Sequence, residues 1–174
     1  MQHRAIYLIL AIAMIKLPFG LFAEPLAVGA EAPRLTATIH TGDKLDLGER
    51  YDQGPVLVFF YPRAETAGCT AQACNLRDHD SDLREAGIQV IGVSRDNVER
   101  QAAFQTNHEL PFPLIADESG DVVAAFGVPT AMGIPRRQTF LVVDGKIAWR
   151  DLSATPRTQS EDALAAFRAL QEAD

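Results

Sequence analysis

Val56-Leu57-Val58-Phe59-Phe60-Tyr61 is an unbroken apolar and aromatic run between Pro55 and Pro62. A strand with one wet face would alternate polar and apolar residues. A continuous run rich in β-branched and aromatic side chains instead marks a strand covered on both faces. That requires a sheet with layers packed above and below it, so the rest of the chain must supply the layers. Downstream, short strand-like runs at Ile88–Val93 and Phe112–Ile115 alternate with helical stretches at 66–86, 96–107 and 119–126. Gly87 is placed to end the first helix, and Asp96 to cap the second. Gln138–Val143 and Lys146–Arg150 flank Asp144-Gly145, a strong two-residue hairpin signal. A final helix over Ser160–Glu172 puts Leu164, Phe167 and Leu170 on one face. Upstream, Leu35–Ile39 and Lys44–Leu47 flank a Thr41-Gly42-Asp43 turn. The expected fold class is therefore α/β, with a mixed central sheet, helices on both faces and an N-terminal β-hairpin extension.

With 174 residues and a net charge of −7, the chain is long enough for one domain with its own core. Residues 1–23 carry Arg4 and Lys16 and no acid, so the remainder stands at −9. Such an acidic surface argues against a nucleic-acid partner, which needs a basic footprint. It fits a soluble, monomeric or weakly associating protein that handles small molecules. The first segment reads differently. A basic start at Arg4, an apolar run from Ala5 to Ile15 and a small residue at Ala23 resemble a secretory signal. Lys16 interrupts the run, and Leu21 occupies a position where cleavage favours a small residue. Residues 5–23 also approach the roughly 20 residues that span a bilayer, so an uncleaved anchor is the alternative. The expectation is export, to a bacterial periplasm, of a domain spanning 24–174.

The two cysteines, Cys69 and Cys74, lie at the start of the first helical stretch, just beyond the buried strand. Their spacing is not the C-x-x-C of a dithiol reductase, and no paired ligands for structural zinc accompany them. On one helix their Cα atoms would stand roughly 8–9 Å apart. A disulfide tolerates about 7 Å, so pairing would require the helix start to unwind. A purely structural bridge would hardly be built in this way. Cys69 also sits where the unpaired N–H groups and dipole of a helix start favour a thiolate. An accessible thiolate beside a second thiol suits reaction with peroxide. The competing reading is that both are small buried apolar residues.

The surrounding residues narrow the choice. The segment from Phe60 to Asp78, FYPRAETAGCTAQACNLRD, closely resembles the active-site segment of the peroxiredoxins. More narrowly, it resembles their Q-type branch, also called bacterioferritin comigratory proteins. Pro62, Thr66 and Cys69 match the motif P-x-x-x-[TS]-x-x-C, and Cys74 stands where that branch carries its resolving cysteine. Val28-Gly29-Ala30-Glu31-Ala32-Pro33 is similar to the family's approach to its first hairpin. The resemblance runs from about Leu26 to the C-terminus and implies a thioredoxin-like fold. It implies that Cys69 attacks a peroxide to become a sulfenic acid and that Cys74 condenses with it. A thioredoxin-like dithiol protein would then reduce the disulfide, with no metal, haem or flavin taking part. Pro62 would shield the sulfenic acid, and Thr66 would hydrogen-bond peroxide and thiolate, besides any role as a helix cap. Arg137-Gln138-Thr139-Phe140 matches the family's R-x-[TS]-F element. Arg137 rather than Arg136 would therefore stabilise the thiolate and polarise the peroxide.

Some features depart from that pattern. Ala67 stands where the branch often has proline, the loop Val128–Pro135 is short, and Val128-Pro129-Thr130 is faintly like a cis-proline segment. His3, His40, His79 and His108 form no ligand cluster in sequence, and His79 is expected on a solvated helix face. The functions competing with a peroxidase are a thiol–disulfide oxidoreductase and a redox-sensing module on the same fold.

Overall fold

The computed structural model of the chain describes residues 24–173. The expected export segment, residues 1–23, lies outside the described residues. In chain order the elements are β1 (Thr36–Thr38), β2 (Lys44–Asp46), α1 (Leu47–Asp52), β3 (Val56–Phe60), α2 (Ala67–Asp78), α3 (Asp80–Glu85) and β4 (Gln89–Ser94). They continue with α4 (Val98–Asn107), β5 (Leu114–Ala116), α5 (Asp121–Ala125), β6 (Thr130–Ala131), β7 (Ile134–Pro135), β8 (Gln138–Val143), β9 (Lys146–Asp151) and α6 (Gln159–Ala173).

The run at 56–61 forms the centre of the molecule. β3 is the middle strand of a five-stranded mixed sheet ordered β5-β4-β3-β8-β9, parallel to β4 and antiparallel to β8. Its side chains divide between two cores. Val56, Val58 and Phe60 join Phe126, Phe140 and the N-terminal hairpin on one face. Leu57, Phe59 and Tyr61 join Cys69, Leu76, Phe104 and Phe167 from α2, α4 and α6 on the other. All six residues of the run are 0% exposed. Each buried side chain of this size contributes about 1.5–3 kcal/mol, so a polar substitution in the run would be costly. The Asp144-Gly145 turn joins β8 to β9 with both residues at positive φ, 50° and 73°, as a tight hairpin turn demands.

Several boundaries differ from the sequence expectation. The helix expected over 66–86 is two helices, broken at His79 (φ −110°, ψ 16°). The His79 ring does not lie free on a solvated face. Its Nδ1 lies 2.9 Å from the Asn75 carbonyl, and the change of direction brings Leu83 fully into the core. Asn97, not Asp96, caps α4, accepting from Arg100 N–H at 3.0 Å. α5 begins at Asp121, with the buried Asp117 carboxylate accepting from Val122 and Val123 N–H in place of a cap side chain. The loop 128–135 folds into the small β6–β7 hairpin, and the Val128–Pro129 peptide is trans.

The N-terminal hairpin is fastened to the sheet edge at His40. Its N–H donates to Leu114 O at 2.8 Å, and Leu114 N–H donates to His40 Nδ1 at 3.2 Å. The ring is therefore neutral, with its proton on Nε2, and burial pushes its pKa below the ordinary histidine value. Below about pH 6.5 the unfolded chain takes up this proton more readily than the folded one. The contribution is complete above that pH and is lost as pH falls. Tm is expected to fall between pH 7 and pH 5 from this source. His40→Asn, whose side-chain oxygen can accept from Leu114, should flatten that slope in a pH series of thermal melts. Asp46 and Asp52 are held below the usual carboxylate range by the Glu49 N–H and the Arg34 guanidinium respectively. Their loss belongs to more acid conditions.

Candidate active site

β3 delivers the chain to the site, and α2 carries it away. Between them, residues 61–66 are pinned to a buried polar network. The Tyr61 hydroxyl donates to Gln101 Oε1, and Gln101 Nε2 donates to Ser94 Oγ at 2.9 Å and Ile115 O at 2.8 Å. Burial pushes the Tyr61 phenol well above its ordinary value, so it remains a donor. Ser94 Oγ donates to Asp96 Oδ2 at 2.8 Å, and the same oxygen accepts from Ala64 N–H at 2.7 Å. Arg100 pairs with Asp96 at 3.1 Å and donates to Ala64 O at 3.1 Å. Asp96, expected as a helix cap, is instead the acceptor that holds Ala64.

Past this anchor, Glu65 turns through a left-handed conformation (φ 65°), and Thr66 sets up the helix. Thr66 occupies the N-cap position but does not cap with its side chain. Its hydroxyl donates to Arg63 O at 2.9 Å, which leaves its oxygen lone pairs free to accept a hydrogen bond. Cys69 falls in the first turn of α2, where backbone N–H groups lack intrahelical acceptors and the positive end of the dipole lies. Both cysteines are free thiols, Cys69 buried and Cys74 half-buried. Their placement on one unbroken helix holds the Cα atoms roughly 8–9 Å apart, too far for a disulfide while the helix persists.

Cys69 is 1% exposed, which corrects the expectation of an accessible sulfur. Its side chain packs with Ala64, Ala73 and Leu76 because the strand–helix contact needs an apolar residue at that point. Arg137, immediately before β8, reaches it across the sheet, with Nη2 3.5 Å from Sγ. Arg136 is exposed, its backbone N–H donating to Pro129 O at 2.9 Å, so of the two neighbours it is Arg137 whose side chain lies on the sulfur. Gly68 leaves room for the guanidinium, since a Cβ there would lie 3.1 Å from Arg137 Nη2.

Gln72, which sequence reasoning passed over, completes the arrangement. Its Oε1 accepts from Arg137 Nη1, while its Nε2 donates to Gln159 Oε1 at 2.8 Å, and Gln159 donates to Thr139 Oγ1. This buried chain fixes the guanidinium plane and ties α2 to α6. The available signal was a glutamine one helical turn after Cys69, on the same inward face as Leu76. Pro62 borders a cleft of about 310 Å³, with Arg63, Arg95, Met132 and Ile134 around it. The structure thus places Arg137 on Cys69 and leaves Cys74 on the following turns, while the cleft beside Pro62 is lined by neither Cys69 nor Arg137. Among the described residues no group of three metal-ligating side chains gathers.

A guanidinium on a buried sulfur at a helix start stabilises negative charge there and on an oxygen bonded to it. The AhpC/TSA family pattern matches residues 28–150. The chain belongs to the AhpC/TSA family. Its relatives there include peroxiredoxin Bcp of Escherichia coli K12, 39% identical over 132 residues, covering 71% of this chain and 84% of that one. Chloroplastic peroxiredoxin Q of Oryza sativa subsp. japonica is 38% identical over 116 residues, covering 66% of this chain and 53% of the plant protein. Among solved structures, peroxidoxin BcpB from Mycobacterium tuberculosis superposes with a TM-score of 0.77 at 34% identity, over 82% of this chain and 97% of that one. Xanthomonas campestris peroxiredoxin Q, at 24% identity and a TM-score of 0.72, supports the fold. As a member of the AhpC/TSA family with these relatives, the protein is a thiol peroxidase on the thioredoxin-like peroxiredoxin fold.

Proposed function

We propose that Cys69 is the peroxide-attacking residue and Cys74 the resolving one, within a single subunit. The Cys69 thiolate attacks one oxygen of the substrate, the O–O bond breaks, and the leaving alkoxide or hydroxide takes a proton to depart as alcohol or water. Cys69 is left as a sulfenic acid. Cys74 then attacks that sulfur, water leaves, and the Cys69–Cys74 disulfide forms once the start of α2 unwinds. A thioredoxin-like dithiol protein returns both residues to thiols by exchange.

The observation that carries this reading is the Arg137 contact at 3.5 Å on a sulfur that is 1% exposed. A disulfide on another protein could not approach that sulfur with the helix intact, whereas a hydroperoxide terminus is only two oxygens in size. In this scheme Arg137 stabilises charge on sulfur and on the breaking O–O bond. The Thr66 oxygen accepts a hydrogen bond from the peroxide O–H, and Pro62, lacking an N–H, walls off water. The reading also includes action as an exported monomer, with residues 1–23 as signal or anchor and 24–174 as the catalytic domain. The basic-then-apolar pattern of residues 1–23 supports export.

Cys74→Ser separates the steps. It is expected to consume about one equivalent of peroxide in a rapid burst and then to stop in the presence of a thioredoxin system, while wild type continues to turn over. Continued thioredoxin-supported turnover by Cys74→Ser would remove Cys74 from the resolving role. Insulin reduction without peroxide consumption by wild type would favour a thiol–disulfide oxidoreductase instead.

A further inference from the structure

The segment carrying both cysteines is clipped at either end to one residue outside it, His108, at the C-terminal cap of α4. On the upstream side, the Glu65 carboxylate lies 3.0 Å from His108 Nε2 and accepts from Asn107 Nδ2 at 2.9 Å. A carboxylate can only accept here, so the imidazole proton is on Nε2. On the downstream side, Arg77 Nη1 donates to the His108 carbonyl at 2.8 Å, three residues beyond Cys74. His108 is itself held firmly. Its ring packs edge-on against Phe104 at 5.2 Å, and Phe104 is 0% exposed in the core beneath the sheet.

Glu65 is also the hinge. Ala64, one residue earlier, is fixed by Asp96 and Arg100, so backbone change on unwinding must begin at Glu65. With φ at 65°, Glu65 occupies a region that a residue with a Cβ enters only under local restraint. The restraint present is its carboxylate on Asn107 and His108. Releasing those two bonds lets the hinge return to ordinary φ and frees the N-terminal end of the helix.

We propose that His108 is a positioning residue that holds segment 65–77 in its folded, peroxide-reactive form and sets the rate at which Cys74 reaches Cys69. The proposal rests on the assignment of Cys74 as the resolving residue. The clip acts between the two chemical steps. While it is closed, Arg137 stays on the sulfur and attack proceeds; its opening lets the sulfenic acid and Cys74 meet. It also favours closure of the helix after the disulfide is reduced.

The test uses the full chain, reduced, mixed with one equivalent of hydrogen peroxide and quenched at millisecond intervals into a sulfenic-acid trap. Mass spectrometry then follows the trapped sulfenic acid and the Cys69–Cys74 disulfide separately. His108→Ala leaves in place the carbonyl bond to Arg77 and the Asn107 bond to Glu65, and removes the His108 half of the upstream clip. It is expected to form the disulfide about three to five times faster than wild type, as loss of a half-exposed charged hydrogen bond allows. Its rate of sulfenic acid formation should stay within about twofold of wild type, since it touches neither sulfur nor Arg137. His108→Gln, which can donate to Glu65 from its side-chain amide, should return disulfide formation to near the wild-type rate. Glu65→Gln provides a second route, with an intermediate acceleration expected because one acceptor oxygen remains. Disulfide formation at the wild-type rate or slower in both His108→Ala and Glu65→Gln would overturn the proposal. So would parallel changes in both steps that His108→Gln fails to restore, because they would mark a merely structural role. If wild type itself forms no Cys69–Cys74 disulfide, the assignment of Cys74 fails, and this inference fails with it.

Discussion

Cys69→Ser is expected to lower peroxide consumption at least about 10³-fold, to the level of the buffer reaction, the scale on which enzymes lose activity when their nucleophile is replaced. The substitution exchanges sulfur for a slightly smaller oxygen in a site that is 1% exposed, so the packing of Ala64, Ala73 and Leu76 around it is retained. Serine offers no thiolate for the proposed attack on the peroxide, and its hydroxyl is a far weaker nucleophile. Tm should accordingly stay within a few degrees of wild type while activity vanishes. The measurement is peroxide disappearance under excess reductant, paired with a thermal melt of the same preparation. Turnover within tenfold of wild type would mean that the chemistry occurs elsewhere, and Cys74 would be the residue to examine next.

Arg137→Leu is expected to slow the oxidation of Cys69 by about 10²- to 10³-fold, the usual result of removing one donor aimed at developing charge. The effect belongs to the second-order rate constant for a single turnover, read by stopped flow, rather than to the later reduction of the disulfide. Arg137 bonds both Cys69 Sγ and Gln72 Oε1, so its loss also leaves a buried amide oxygen without its donor. That group costs about 1–3 kcal/mol when orphaned, and the melt should register it. Arg137→Lys separates the two contributions. A single ammonium cannot reproduce a planar fork reaching sulfur and amide together, so charge alone should recover only part of the rate. Full activity in Arg137→Lys would show that the fork geometry is dispensable. An unchanged rate in Arg137→Leu would remove the guanidinium from the mechanism.

Much of the molecule follows from local sequence. The unbroken run 56–61 could be stable only as a central strand covered on both faces, and it became β3. Asp144-Gly145 could supply two consecutive positive φ angles, and it joined β8 to β9. The segment holding Pro62, Thr66, Cys69 and Cys74 was legible as a resemblance to the peroxiredoxins, and its place at a helix start because a helix start is a property of local sequence. Strand and helix periodicity, turn chemistry and motif spacing all act over a few residues, so they can be read without knowing the fold.

What lay beyond the sequence was decided by contacts between residues far apart in the chain. Asp96 precedes a helix and carries a capping side chain, yet Asn97 caps and Asp96 turns to Ala64, because the 61–66 loop left an N–H there with no other partner. The helix expected to continue through residue 86 breaks at His79, where the change of direction lets Leu83 reach the core. Gln72 and Gln159, 87 residues apart, look like ordinary polar helix residues until α2 and α6 pack and leave each as the other's partner. Cys69 was expected to be accessible and is buried, because the face of α2 that carries it must pack on the sheet. The sequence by itself therefore determined the local elements and the candidate residues for the chemistry. The tertiary structure decided their orientation and their restraint, since buried polar groups must find partners and only the packed fold determines which partners lie within reach.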